Sequence, residues 1–320
     1  MIYNLWNGNQ ALVAALGLLA AFVGTCLFIA KCSKFLPRDA GRAFAHDGKL
    51  SAGKPRGAGI IFIFVFVAVA FLFAPVNLEI IIYLILIVAE MLTGYMDDAS
   101  ENPWGEYKKG LLDLIVAVIL AVTYLSFNSS TIEIASLGMR LTIPPVLFGL
   151  LTVILVWGSI NVTNCTDGVD GLSGTLAIIT LGTFYVIDHI KGNQDNFTFL
   201  ILLFMICILG YLWYNATPSL LLMGDAGSRA MGIFISIAAL KSGSPLLYIP
   251  VALVFILDGG LGLLKVALIR GFKIHILKNV RTPLHDHVRK VMGWSNTQTV
   301  FRFAIIQIVI SVAVVYLLLM

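Results

Sequence analysis

The sequence predicts an all-α polytopic membrane protein, with about ten transmembrane helices in one integral membrane domain over residues 1–320. Three observations predict it. Hydrophobic residues make up 59% of the chain and charged residues 12%, and the mean hydropathy is +0.95, which leaves too little charge to cover a soluble surface. Apolar runs recur along the whole length with no polar linker to divide domains. The basic residues fall almost entirely in alternate loops.

A helix crosses the hydrocarbon core with about 20 apolar residues. Runs of that kind are Ala11–Ala30, Gly57–Ala74, Leu78–Met96, Leu111–Phe127, Val146–Val162, Leu172–Ile190, Phe197–Tyr214, Ser228–Leu240, Leu246–Ile269 and Val300–Leu319. The first precedes the first basic residue, Lys31, so it reads as a retained anchor rather than a cleaved leader. The eighth is short and is expected either to cross thinly or to be completed by Lys241–Pro245. The ninth carries Asp258 and Lys265 and is expected to bend or to project from the membrane. Between the fourth and fifth runs, Ser130–Pro144 alternates Ile132, Ile134, Leu137, Leu141 and Ile143 with polar residues, the pattern of a small extracytoplasmic β-hairpin. Cys26, Cys32, Cys165 and Cys207 show no C-x-x-C spacing and read as packing thiols.

If the runs alternate in direction, all Lys and Arg except Arg140, Lys191 and Lys241 lie on or beside one face, with Lys31, Lys34, Arg38, Arg42, Lys49, Lys54 and Arg56 in its first loop. The positive-inside rule makes that face cytoplasmic and puts both termini outside. The net charge of +4 needs no nucleic-acid partner, because the cations sit where lipid headgroups or phosphates would be.

Four polar clusters fall on the same inner face. Asp97 and Asp98 close the third run, and adjacent carboxylates at a membrane boundary ask for a cation or a base role. The bland alternative, a solvated helix end, is opposed by the helix dipole. From Asn161 to Gly171 the chain repeats amides and acids, with Asn161, Asn164, Asp167 and Asp170 at helical spacing and Gly168 and Gly171 between them. Such a loop suits a sugar or a base, although Asn, Asp and Gly also serve as plain turn residues. Met223-Gly224-Asp225-Ala226-Gly227-Ser228, preceded by Asn215, places small residues at a helix start where amides approach phosphate. There Asp225 can hold magnesium, or act simply as an N-cap. Thr282-Pro283-Leu284-His285-Asp286-His287 lies among Arg270, Lys273, Lys278, Arg281, Arg289 and Lys290. Its two histidines flanking an acid suit a metal, a phosphate or simply a solvated surface, and the want of a cysteine or a third histidine disfavours zinc. Ile274, Leu277 and Val280 nearby read as an amphipathic surface segment.

In order and spacing these clusters resemble the polyprenyl-phosphate N-acetylhexosamine-1-phosphate transferases, over about residues 45 to 290. Thr282-Pro283-Leu284-His285 looks like the branch that handles phospho-N-acetylmuramoyl-pentapeptide. The resemblance implies a ten-helix fold with a cytoplasmic-side site in a bacterial inner membrane, and a magnesium-dependent reaction. That reaction passes phospho-MurNAc-pentapeptide from UDP-MurNAc-pentapeptide to undecaprenyl phosphate, yielding lipid I and UMP. It implies Asp225 as metal ligand and Asp97, Asp98 and His285 as the other catalytic groups. Lys108, Asn161, Asn164, Asp167, Asp170, Asn215, Gly224 and His287 become substrate-binding positions. Membrane lipids are expected neighbours, and a homodimer is an assembly to test.

The chain departs from the family in three places. Asp286 replaces the middle histidine of a triplet, and Glu101 stands where a lysine follows the aspartate pair, so that its charge is expected from Lys108 or Lys109. Gly53-Lys54-Pro55-Arg56-Gly57 stands where hydroxyl residues are usual. The alternatives are a transferase of N-acetylglucosamine phosphate, an intramembrane aspartyl protease, or a transporter. The protease would not use the amide-rich loop, and a transporter would show internal repeats.

Overall fold

The computed structural model describes residues 10–41, 51–102, 104–134, 138–192 and 195–320. Arg42 and Lys49 of the first loop, and Leu137 of the expected hairpin, lie outside the described residues. The helices are α1 (Gln10–Cys32), α2 (Gly59–Phe73), α3 (Leu78–Asp98), α4 (Glu106–Phe127), α5 (Pro145–Thr166), α6 (Leu172–Ile190), α7 (Asn196–Asn215) and α8 (Gly224–Lys241), then α9 (Leu261–Phe272), α10 (Leu284–Lys290) and α11 (Asn296–Leu319). Seven of these are long and apolar enough to cross a bilayer, or eight spans with the bent ninth region counted as one. The remaining two of the ten expected segments are α2, with 15 residues, and α8.

Helix α8 is the shaft of the bundle. Every residue from Gly224 to Leu240 is buried, against α2, α3, α5 and α6, as expected of a helix that is apolar on all sides. Phe234 on α8 stacks on Phe204 of α7 at 4.1 Å between ring centroids, and Phe66 of α2 meets both rings edge-on. The outer faces keep large apolar side chains exposed, among them Leu19, Ile154, Phe301 and Val309, and lipid is the solvent that tolerates them. The four cysteines are free thiols.

The eighth run lengthens at its start rather than its end. Helix α8 begins at Gly224 and stops at Lys241, and Ser242 to Ser244 turn away instead of completing it. The ninth region does bend. Pro245–Val251 and Leu253–Phe272 meet at 67°, and a π-helical turn over Ile256–Gly260 carries Asp258 inward. Pro250, two residues before Ala252 where the helix breaks, explains the bend. Residues 274–280 are not helical; Lys265 donates to the Leu277 and Val280 carbonyls at 3.1 and 2.9 Å and ties this loop down. The hairpin forms as β1 (Thr131–Ile134) and β2 (Met139–Thr142), antiparallel, with Ile132 opposite Leu141. It anchors through the Glu133 amide to Gly243, beyond the C-terminal end of α8, so the hairpin and Asp225 lie at opposite ends of that helix.

Candidate active site

The site is assembled where the start of α8 wedges between α2 and α3. A Cβ on Gly94 would lie 2.5 Å from the carbonyl carbon of Asp225, and one on Gly59 would lie 2.1 Å from the Gly227 amide nitrogen. Only glycine allows that approach. It sets Asp225, in the first turn of α8, beside Asp97 and Asp98 at the end of α3. Asp98 Oδ2 accepts from the Ala226 amide at 3.2 Å, capping α8 from another helix, while Met223 at the cap position makes no side-chain cap bond.

Two cations lie among these carboxylates. Lys109 of α4 pairs with Asp97 and, at 3.0 Å, with Asp225. Arg56, in the segment before α2, lies 2.8 Å from Asp98, 3.4 Å from Asp225 and 3.4 Å from Asp39. Burial lowers the Arg56 pKa, but the charges of Asp98, Asp225 and Asp39 outweigh it and raise it above the ordinary arginine value. Its charge is therefore fixed. Beside these groups opens a cavity of about 390 Å³, lined by Lys54, Arg56, Asp167, Asp170, Asn215 and Arg289 among others.

The donors suit a hard divalent cation. Among the described residues no group of three His, Cys, Asp or Glu forms a closed metal cage. Magnesium does not ask for one: it takes one or two carboxylates and completes its octahedron with water and phosphate oxygens. Asp225 and Asp98 offer such oxygens, and Asp98 Oδ1 is buried without an aligned hydrogen bond although Arg56 Nε is 2.8 Å away.

Residues 80–243 match the model of glycosyl transferase family 4. The chain belongs to this family. It is 39% identical over 317 residues to the phospho-N-acetylmuramoyl-pentapeptide-transferase of Treponema pallidum (strain Nichols), covering 93% of this chain and 87% of that protein. The enzyme of the same name from Symbiobacterium thermophilum is 29% identical over 272 residues, 80% and 79% of the two chains. That of Borrelia hermsii is 28% identical over 262 residues, 74% and 73%.

Within this family-4 chain the four sequence clusters converge at one end of the bundle. Asp167, Asp170, Asn215 and Gly224 line the cavity. Asn215 accepts from the Gly171 amide at 2.8 Å and donates to the Leu221 carbonyl at 2.8 Å, so it holds the two loops together. Asp170 accepts from the Ser219 amide at 3.1 Å, and Ser173 donates to Asp167 at 2.7 Å. Asn161 and Asn164 instead bond between helices, to Asp113 at 3.1 Å and to Ser228 at 2.9 Å.

Lys108 does not reach the carboxylates. Its ammonium sits 3.3 Å from the centroid of the Trp104 ring, and Lys109, about 100° round the helix, takes the position between Asp97 and Asp225. His287 stays half-exposed and accepts from the Arg281 amide at 3.3 Å.

His285 is buried and held twice by Asp258, whose carboxylate accepts from its backbone amide at 2.7 Å and pairs with Nδ1 at 2.8 Å. Because a carboxylate only accepts, Nδ1 carries the proton, and Nε2 faces the Gly168 loop, where a Cβ would lie 2.3 Å from it. Asp286 pairs with Arg289 at 2.8 Å and Lys290 at 3.5 Å. Arg289 also donates to the Gly168 carbonyl at 3.2 Å. Sequence reasoning left Asp258 unassigned and treated Arg56 only as a departure, since neither stands near its partners along the chain.

Proposed function

We propose that the protein transfers phospho-MurNAc-pentapeptide from its UDP carrier to undecaprenyl phosphate, forming lipid I and releasing UMP. The observation that carries this reading is the meeting of Asp97, Asp98 and Asp225 with Lys109 and Arg56 beside a polar cavity. Mixed charge of this kind suits a reaction in which two phosphate-bearing substrates must approach each other. The relatives named above supply the donor class. The geometry opposes an aspartyl protease, whose two acids share a proton, because here Lys109 stands between Asp97 and Asp225.

In the reaction a lipid phosphate oxygen attacks the sugar-bearing phosphorus of the donor, and the bond to the UMP oxygen breaks. A phosphate monoester has its second pKa near 6, so the attacking group is largely dianionic at neutral pH and needs little base assistance. Lys109 and Arg56 offset the repulsion between the substrates, and His285, oriented by Asp258, presents Nε2 towards the Gly168 loop. Asp225 and Asp98 would hold magnesium, which when bound supplies Lewis-acid stabilisation of phosphate charge. Asp167, Asp170 and Asn215 line the pocket for the nucleotide or sugar. The site faces the cytoplasm of a bacterial inner membrane, with both termini outside.

The test gives purified protein undecaprenyl phosphate, magnesium and either UDP-MurNAc-pentapeptide or UDP-N-acetylglucosamine, and follows UMP release. Turnover with the first donor and not the second is expected. Faster turnover of UDP-N-acetylglucosamine would overturn the donor assignment and move the chain to the sister activity.

A further inference from the structure

Arg56 is placed for more than bracing a loop. Its guanidinium spans carboxylates from three segments, Asp39, Asp98 and Asp225, and it lines the cavity. Two of those carboxylates are the ones best placed to hold a divalent cation. A guanidinium and a divalent ion cannot both sit at full strength on Asp98 and Asp225, because like charges a few ångströms apart repel strongly away from bulk water. Counting Asp39, Asp97, Asp98 and Asp225 against Arg56 and Lys109, the cluster keeps a net charge of two negatives. One divalent cation brings that count to zero, and by taking the Asp98 and Asp225 oxygens it displaces the guanidinium from two of its three carboxylates. Its side chain is 20% exposed and lines the cavity, so an anion entering there can take over the contacts it loses.

We propose that Arg56 is an exchangeable counter-ion: it holds the metal carboxylates in the substrate-free protein and moves to the donor's pyrophosphate when the divalent cation takes its place. This rests on the phosphosugar-transfer reading. Arginine suits the task because its planar fork can bind two phosphate oxygens at once, whereas a lysine ammonium acts as a point charge. Lys54 also lines the cavity, 2.9 Å from Ser219 and 3.9 Å from Asp170. Lys109 also meets Asp225, at 3.0 Å, but Arg56 bridges Asp98 and Asp225 and lines the cavity, so it is the cation placed to pass from the carboxylates to a donor.

The two halves of the proposal predict opposite signs on one substitution. Full-length protein in detergent, without donor, is titrated with manganese and binding read by electron paramagnetic resonance. Arg56→Gln should bind manganese at least about fivefold more tightly than the unsubstituted protein, since a competitor has gone. The same variant should raise the donor KM about tenfold or more, the loss expected for a charged hydrogen-bonding group. Arg56→Lys should leave manganese affinity close to that of the unsubstituted protein and still raise the donor KM, because the fork is lost.

Unchanged or weaker manganese binding in Arg56→Gln would overturn the counter-ion half, and an unchanged donor KM would overturn the pyrophosphate half. Should Arg56→Gln fail to fold, Arg56→Lys decides: a donor KM within twofold of the parent overturns the proposal. Absence of UMP release by the unsubstituted protein from any UDP-sugar would refute the transferase reading, while the manganese titration would still judge the counter-ion.

Discussion

Asp258→Asn isolates the part His285 plays. The carboxylate is fully buried and accepts twice from one residue, from the His285 amide at 2.7 Å and from Nδ1 at 2.8 Å. An asparagine keeps the shape but offers one acceptor and one donor, so one of the two bonds must fail. If the amide bond survives, the imidazole faces an NH2 group and moves its proton to Nε2, turning the nitrogen beside Gly168 from acceptor into donor. Hydrogen bonds to a charged group contribute about 1.5–3 kcal/mol, so turnover should fall about 10- to 150-fold if His285 works through Nε2. UMP release at saturating donor, with kcat and KM resolved, measures it. The decisive comparison is the double variant: Asp258→Asn should cost almost nothing further in a His285→Ala background. An additive loss there, or a kcat/KM within twofold of the parent for folded Asp258→Asn, would refute the argument.

Asp225→Asn should lower activity by more than about a hundredfold at every practical magnesium concentration, with the elution profile retained, because an amide cannot replace the charge of a metal-binding carboxylate; near-normal UMP release would remove the assigned role. Asp97→Asn and Asp98→Asn should differ in severity, since Asp97 is held by Lys109 and the Trp104 amide while Asp98 meets Arg56 and the Ala226 amide; equal, mild losses in paired rate measurements would make the pair an electrostatic feature only. In a cysteine-free variant, cysteines placed singly at Ser51, Glu101 and Asn279 should label with an impermeant maleimide only after the cells are permeabilised; labelling of Asn279 in intact cells would overturn the orientation.

The helices were legible because apolar length is a strong signal, and their starts were less so because polar residues can extend a helix once its neighbours bury it. The eighth apolar run begins only at Ser228, yet Gly224 to Gly227 before it form the first turn of α8, held by the glycine contacts of Gly59 and Gly94. The carboxylates of the site were legible from their cost at a membrane boundary. Their cations were not. Lys108 and Lys109 are equivalent in composition, and only the position of the Trp104 ring separates them. Arg56 lies 42 residues from Asp98 along the chain and reaches it through tertiary packing. Asn161 shows the converse: its spacing with Asn164 pointed to a ligand, but its amide is taken by Asp113 and the Trp157 carbonyl.

That last contact belongs to a second layer of charge that fixes the first. Glu90 precedes Asp97 on α3 by seven residues, Asp113 follows Lys109 on α4 by four, and Arg229 follows Asp225 on α8 by four, so the same three helices carry ions again one or two turns deeper. Arg229 pairs with Asp113 and, at 3.2 Å, with Glu90. Among the described residues, both Glu90 oxygens and two Arg229 nitrogens lack hydrogen-bond partners. A buried triad of this kind is weak evidence for stability, since its desolvation offsets its attraction. Its consequence is register. Leucines packed on leucines tolerate a slide between helices, whereas a one-turn slip of α8 would strand Arg229 away from both acids at a cost of several kcal/mol. Because Asp225 lies on the same helix, one turn from that arginine, the lock that holds Arg229 between α3 and α4 also holds Asp225 beside Asp97, Asp98 and Lys109.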